Sequence, residues 1–319
     1  MAAVPTIRAY ANFDKDKDVQ ILRKAMKGMG TDEKALVDII AYRNNPQRQE
    51  LKLHYKTCYG RDLVDDIKSE CSGNFEKVLL ALLDLPPLFD AKCLGAAMKG
   101  AGTNENLLIE ILCTRTSAQI KAIKVAYKEG FGRNLEEDLK SETKGDFERL
   151  LVGLSAAGRD DSDEVDQEKI DSDAKALYEA GEGKFGTDES EFQRVLLGRS
   201  YAHVRAVFDA YGNISKKSIE EAIKSEMSGD LQYSYLTIVK CVRNPSEYYA
   251  DMLASSMKGI GTNEEKLMRC LVSRSEVDLG TIKAVYAAKH GKSLRDTIKG
   301  ETRGDFENAL LALINEQKS

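Results

Sequence analysis

Four glutamates, Glu70, Glu142, Glu226 and Glu301, each stand 40 residues after a glycine: Gly30, Gly102, Gly186 and Gly261. Each glycine closes a short loop. Three loops are near copies, Met26-Lys27-Gly28-Met29-Gly30-Thr31, Met98-Lys99-Gly100-Ala101-Gly102-Thr103 and Met257-Lys258-Gly259-Ile260-Gly261-Thr262, and the fourth is looser, Gly183-Lys184-Phe185-Gly186-Thr187. Two glycines flanking one residue let the backbone take positive φ and turn carbonyl oxygens outward, which a Cβ penalises. Several carbonyls with one bidentate carboxylate and water suit Ca²⁺, whose flexible coordination tolerates such a mixed set better than the octahedral demand of Mg²⁺. With one carboxylate per site, intrinsic affinity should lie near ~10⁻⁴ M. A single glycine loop is ordinarily just a turn; four identical spacings are what single these out.

The elements that must hold these groups are helical. The loop threonine is a natural N-cap, and Asp32-Glu33, Asn104-Glu105, Asp188-Glu189 and Asn263-Glu264 supply polar, mostly acidic first turns. A first helix carries Val19, Leu22 and Met26, a second Leu36, Ile39 and Ile40, a third opens near Asn45-Pro46, and a fourth carries Leu63 and Ile67. The fifth has an apolar stripe, Phe75, Val78, Leu79, Leu82 and Leu83, repeated as Phe147, Leu150, Leu151 and Leu154, as Leu231, Tyr235, Ile238 and Val239, and as Phe306, Leu310, Leu313 and Ile314. If helices alternate in direction, the first-to-second and fourth-to-fifth connections share one end of a five-helix unit. Each glutamate then sits beside the outward carbonyls.

The expected organisation is an N-terminal arm over 1–17, repeats over 18–85, 86–156, 173–243 and 244–319, and an acidic linker over 157–172 joining two halves. The arm, without periodicity, reads as a surface tail. Asp14, Asp16 and Asp18 imitate the start of an EF-hand loop, but the turn glycine and terminal glutamate are missing.

With 47 Lys and Arg against 52 Asp and Glu, the net charge of −5 argues against a nucleic-acid partner. It also argues against direct attraction to anionic lipid. Calcium between the loops and lipid phosphates would resolve that repulsion. No run approaches the ~18 apolar residues of a membrane span, and the N-terminus lacks a signal-peptide core, so cytoplasmic residence is expected, peripheral on membranes when calcium rises. The six cysteines form no CxxC pair and are expected as buried reduced thiols.

The combination resembles the annexin family, from about Asp18 to Ile314. The Lys-Gly-x-Gly-Thr loops, the matched glutamates, and Arg43, Arg115, Arg199 and Arg274, each thirteen residues after the second glycine, carry the resemblance. It implies an all-α fold of four five-helix repeats in a curved disc, and reversible, calcium-dependent binding to acidic phospholipid membranes. It implies calcium ligands at Met26, Gly28, Gly30 and Glu70; Met98, Gly100, Gly102 and Glu142; Gly181, Lys184, Gly186 and Glu226; and Met257, Gly259, Gly261 and Glu301. Secondary calcium positions fall on Thr31 with Glu33 and Thr103 with Glu105, and Phe185 is the tip expected to contact the membrane. The repeated arginines are expected to bond loop carbonyls. Asp90, Glu110, Arg115 and Arg269 match polar positions of an ion pathway proposed for some annexins, although Cys93 stands where a glutamate is typical. Self-association on the membrane is left open.

An enzyme has little support: no loop is GxxxxGK[ST] or GxGxxG, and His54, His203 and His290 occupy non-equivalent places. A calcium-independent helical interaction scaffold is the other reading, and it leaves the fixed glutamates without a purpose. Lys144-Gly145-Asp146 and Arg303-Gly304-Asp305 look like integrin-binding tripeptides, but the repeat already accounts for them as helix starts.

Overall fold

The computed structural model describes residues 3–100, 102–183, 186–259 and 261–315, and within these the chain is all-α with no strand. The first repeat contains α1 (Lys15–Ala25), α2 (Glu33–Ile40), α3 (Asn45–Tyr59), α4 (Leu63–Glu70) and α5 (Gly73–Leu83). The second contains α6 (Pro86–Ala97), α7 (Glu105–Leu112), α8 (Ser117–Phe131), α9 (Leu135–Glu142) and α10 (Gly145–Ser155). The third contains α11 (Gln167–Ala180), α12 (Glu189–Gly198), α13 (Tyr201–Ile214), α14 (Ile219–Glu226) and α15 (Gly229–Arg243). The fourth contains α16 (Pro245–Ser256), α17 (Glu264–Arg274), α18 (Leu279–His290), α19 (Leu294–Glu301) and α20 (Gly304–Ile314). Helix α11 begins inside the stretch expected as linker, capped by the Asp166 carboxylate.

The repeats form two compact units that do not follow the sequence halves. One unit joins the first repeat to the fourth (1–86 with 246–319), and the other joins the second to the third (87–245). Each unit is built alike. In the first, α5 and α2 pack on α20, and α5 on α17; in the second, α10 packs on α12 and α15, and α7 on α15. The fifth-helix stripe is what this buries: Phe75, Val78, Leu79, Leu82 and Leu83 are all inside, as are Leu310, Leu313 and Ile314. Complete burial of each such side chain is worth about 1.5–3 kcal/mol. The acidic insertion lengthens the chain between the second and third repeats, but their helices share one core, with Ile109, Cys113 and Leu150 among residues of α12, α13 and α15.

Three expectations are corrected here. The N-terminal arm is docked against the fourth repeat: Thr6 and Ile7 are buried, both their N–H groups donate to the Ser275 carbonyl (2.9 and 3.0 Å), and the Thr6 hydroxyl donates to Leu313 O at 2.6 Å. Gly280 N–H donates to Val4 O at 2.7 Å, and a Cβ on Gly280 would lie 2.8 Å from that oxygen, so a side chain there would push the arm off. The repeated arginines turn an edge of the guanidinium to aspartates: Arg43 to Asp18, Arg115 to Asp90 and Arg199 to Asp173, each with Nε at 2.7 Å. In the fourth repeat Tyr249 stands in place of that aspartate, Arg274 lies over its ring at 4.5 Å, and Asp278 supplies the carboxylate. Asp90 and Arg115 are therefore the second repeat's copy of a buried internal pair. Cysteines 113, 241 and 270 are buried as expected, but Cys58 is exposed.

Candidate metal centres at the loop ends

The second helix of every repeat is capped by the residue after the threonine. Asp32, Asn104, Asp188 and Asn263 accept the N–H of Ala35, Leu107, Ser190 and Lys266 respectively. Such a cap is worth ~1 kcal/mol. It releases the threonine hydroxyl, the cap expected from the sequence, for a longer reach. Thr31 donates to Glu70 O at 3.2 Å, Thr103 lies 3.4 Å from Glu142 O, Thr187 donates to Glu226 O at 3.2 Å, and Thr262 lies 3.3 Å from Glu301 O. The constant 40-residue spacing is the sequence trace of this bond. In the second and fourth repeats the hydroxyl also meets the carboxylate, 3.2 Å from Glu142 Oε2 and 3.1 Å from Glu301 Oε2.

A second bond closes each loop. The N–H of Asp32, Asn104 and Asn263 donates to the carbonyl of Ala25, Ala97 and Ser256 at 2.9, 2.8 and 2.7 Å, while Asp188 donates to Ala180 at 2.7 Å, one residue further along the chain. Between the bonded ends, Gly28 and Gly30 hold φ of 114° and 85°, Gly100 and Gly102 both 103°, and Gly259 and Gly261 106° and 87°. Any other residue would be strained at these angles. Met26, Met98 and Met257 are buried and root the loops in their bundles.

The third loop differs. Gly186 keeps its positive φ of 83°, but Gly181 caps α11 at φ −114°, and Gly183 N–H folds back to Tyr178 O at 2.8 Å. Glu226 is beside Gly181, its Cγ 3.6 Å from where a Cβ would stand. Lys184 and Phe185 lie outside the described residues. Glu182 turns inward, accepting from the hydroxyls of Tyr211 and Ser215, both at 2.6 Å, with Lys217 Nζ at 3.7 Å. Burial alone would push its carboxyl upward; the Ser215 and Tyr211 hydroxyls and the Lys217 ammonium outweigh that and hold it below the ordinary glutamate range.

Each loop thus meets its glutamate, as the spacing demands. Glu70, Glu142 and Glu301 are exposed and Glu226 is half-buried. Among the described residues no three His, Cys, Asp or Glu side chains are grouped to hold a metal, and a cation held at these ends would draw on main-chain carbonyl oxygens beside the glutamate carboxylate. That donor set is all oxygen, which fits Ca²⁺. Thr31 and Thr103 engage Glu70 and Glu142, while Glu33 and Glu105 open α2 and α7 as their first residues. Sequence reading passed over Met29, the fully exposed tip of the first loop, although its place between two glycines matches that of an apolar tip. The Arg303 guanidinium is folded onto the carbonyls of Lys299 and Thr302 at 2.9 and 2.7 Å, so Arg303-Gly304-Asp305 is a helix start.

The annexin family model matches residues 17–82, 89–154, 172–238 and 248–313, one match per repeat. The chain belongs to the annexin family. Annexin A13 of Canis lupus familiaris is 51% identical over 308 residues, covering 97% of this chain and 98% of that protein. Among solved structures, annexin III superposes with a TM-score of 0.97 at 45% identity, covering 98% of this chain and 97% of that one. A calcium-bound annexin (Sm)1 superposes with a TM-score of 0.89 at 36% identity, over 99% of this annexin and 94% of that chain. Annexins are a calcium- and phospholipid-binding family. Among the described residues of this annexin no helix is long and apolar enough to cross a membrane.

Proposed function

We propose that this annexin binds acidic phospholipid membranes reversibly and only with calcium, attaching as a peripheral protein through the four loop ends. The observation that supports this best is the fourfold bond from the loop threonine hydroxyl to the main-chain carbonyl of the distant glutamate, which brings that residue to its glycine loop in every repeat. The carbonyls of Met26, Gly28 and Gly30 with Glu70 form the first site. Met98, Gly100 and Gly102 with Glu142 form the second, and Met257, Gly259 and Gly261 with Glu301 the fourth. In the third repeat the set is Gly181, Lys184 and Gly186 with Glu226. Thr31 with Glu33 and Thr103 with Glu105 are weaker secondary positions. Bound calcium supplies positive charge and open positions for lipid phosphate oxygens, so a chain of net charge −5 can approach an anionic surface. Four weak sites on one chain add up through avidity. Met29 and Phe185 are the apolar tips that would enter the headgroup region.

The deciding experiment is co-sedimentation with phosphatidylserine vesicles and with pure phosphatidylcholine vesicles, in calcium and then in excess chelator. Wild type should bind only the acidic vesicles and be released by chelator. The variant with Glu→Gln at Glu70, Glu142, Glu226 and Glu301 should lose binding while its helical circular dichroism is unchanged. Binding indifferent to chelator would favour the helical scaffold instead.

A further inference from the structure

One titratable cluster lies away from the loop ends and takes no part in the proposed calcium sites. His54 and Cys58 sit one turn apart on α3, which puts their side chains on one face. His54 Nε2 is 2.6 Å from Asp16 Oδ1 on α1 and 3.4 Å from Cys58 Sγ. One ring nitrogen therefore meets both a carboxylate and a sulfur. A bare Nε2 lone pair would repel the carboxylate at this distance, whereas an Nε2–H donates to it and offers its remaining positive edge to the sulfur. The sulfur is then the acceptor, the role a thiolate fills better than a thiol.

The other repeats show that the fold does not need this arrangement. Counting from the site glutamates, the Cys58 position is Gly130, Ile214 and Lys289, and the His54 position is Ala126, Ala210 and Val285. In the fourth repeat Lys289 makes a plain ion pair with Glu247 at 2.5 Å, and Glu247 corresponds to Asp16. A clamp between the first and third helices recurs there without a thiol. Cys58 is also the exposed member of the six cysteines; Cys71 and Cys93 are partly covered and the other three buried. Burial pushes the Cys71 thiol up to about 11 and Cys113 well above its ordinary value, which leaves them poor nucleophiles.

We propose that Cys58 is a reactive-thiol modification site, activated by His54 and held in place through Asp16, that undergoes exchange with small-molecule disulfides. The Cys58 sulfur attacks one sulfur of the disulfide, forming a mixed disulfide; the original S–S bond breaks and the other half leaves as a thiolate. The Cys58 proton is held on His54 Nε2, and no further oxidant is required.

The test uses the folded full-length chain with 5,5′-dithiobis(2-nitrobenzoate) and, separately, oxidised glutathione, followed by peptide mapping. One fast thiol per chain, mapping to Cys58 and absent in Cys58→Ser, is expected. His54→Gln should slow that phase about tenfold and Asp16→Asn about threefold, relative to the same chain's rate in denaturant. If another cysteine is modified first, or if Cys58 reacts no faster in the folded chain than in denaturant, the proposal is overturned. An unchanged rate in His54→Gln, with circular dichroism matching wild type, would equally overturn it and reduce the pair to a helix clamp.

Discussion

In the first repeat the residue after the helix cap is Lys27, which is exposed; in the third it is Glu182, with only 14% of its side chain exposed and two hydroxyls donating to it. The difference follows from a substitution elsewhere in the bundle. Each repeat has an interior tyrosine fifteen residues before its site glutamate: Tyr55, Tyr127, Tyr211 and Tyr286. Tyr55 donates to Asp66 at 2.6 Å and Tyr127 to Asp138 at 2.5 Å, and both aspartates lie in the fourth helix beside an arginine, Arg61 or Arg133. In the fourth repeat Tyr286 meets the Thr297 hydroxyl at 3.3 Å. In the third repeat the same position is Ala222, fully buried, and the basic residue is Lys217. The tyrosine must bond something, because an orphaned buried hydroxyl costs about 1–3 kcal/mol. Its acceptor comes from the loop itself. A bond internal to the bundle in the first two repeats thus becomes, in the third, a tether on the loop proposed to bind calcium.

Glu182→Ala is the most disruptive way to break this contrast. It strands the Tyr211 and Ser215 hydroxyls and should lower stability by about 1–3 kcal/mol, seen in the urea midpoint, whereas Lys27→Ala at the equivalent first-loop position should leave the midpoint unchanged. Adding Ala222→Asp to Glu182→Ala recreates the tyrosine–aspartate–base arrangement of the first two repeats and should recover most of the loss. Ala222→Asp alone should destabilise, since two carboxylates then compete for Tyr211 and Lys217. A double mutant no better than Glu182→Ala would show that the tyrosine's acceptor is not what the third loop supplies.

Acid sharpens the comparison with a smaller effect. Glu182 is held below its ordinary value of 4.5, so its contribution is complete above that value and is lost as pH falls through the lower folded value. Asp66 behaves alike: burial would raise its carboxyl, but Arg61, Tyr55 and Arg23 hold it below 3.8. Both bonds therefore fail in acid, in different places. As pH falls below 4.5 and through the lower folded value, amide protection, measured against intrinsic exchange at the same pH, should be lost over 181–188 of the third loop, while 26–32 of the first keeps its protection. Equal loosening of the two loops would contradict the tether.

The loops, the five-helix period and the glutamate partners were legible in the sequence because each depends on a local rule repeated four times. Glycine pairs, cap residues and apolar stripes need no knowledge of distant contacts. The spacing of 40 recorded a long-range bond, though not which atoms made it: the threonine hydroxyl was free to make it only because Asp32, Asn104, Asp188 and Asn263 took the cap. What the sequence hid was relational. Pairing of the first repeat with the fourth depends on which fifth-helix stripes meet, and all four stripes look alike. The docking of Thr6 and Ile7 on Ser275 uses backbone atoms, which carry no residue signature. Arg43 could have been matched to Asp18 by asking which carboxylate recurs at a fixed distance before it, since Asp90 precedes Arg115 by the same 25 residues.

The loop tips give the smallest effect. Met29 is fully exposed between Gly28 and Gly30, so in water its side chain has no packing to lose, and removing it should leave folding stability unchanged. Any consequence must therefore appear on the membrane. Complete burial of a methionine is worth about 1.5–3 kcal/mol, and a tip that only reaches the headgroup region realises a fraction of that. Met29→Ala should thus raise the calcium concentration needed for half-maximal binding to phosphatidylserine vesicles by a few-fold, with no change in the urea midpoint. Phe185→Ala should act in the same direction. Because the chain contains no Trp, Met29→Trp adds a direct reading: its emission should shift to the blue when calcium and acidic vesicles are both present, and return on chelation. A tryptophan at 29 that remains water-exposed on bound vesicles would remove the first tip from the interface and leave attachment there to the carbonyls and Glu70.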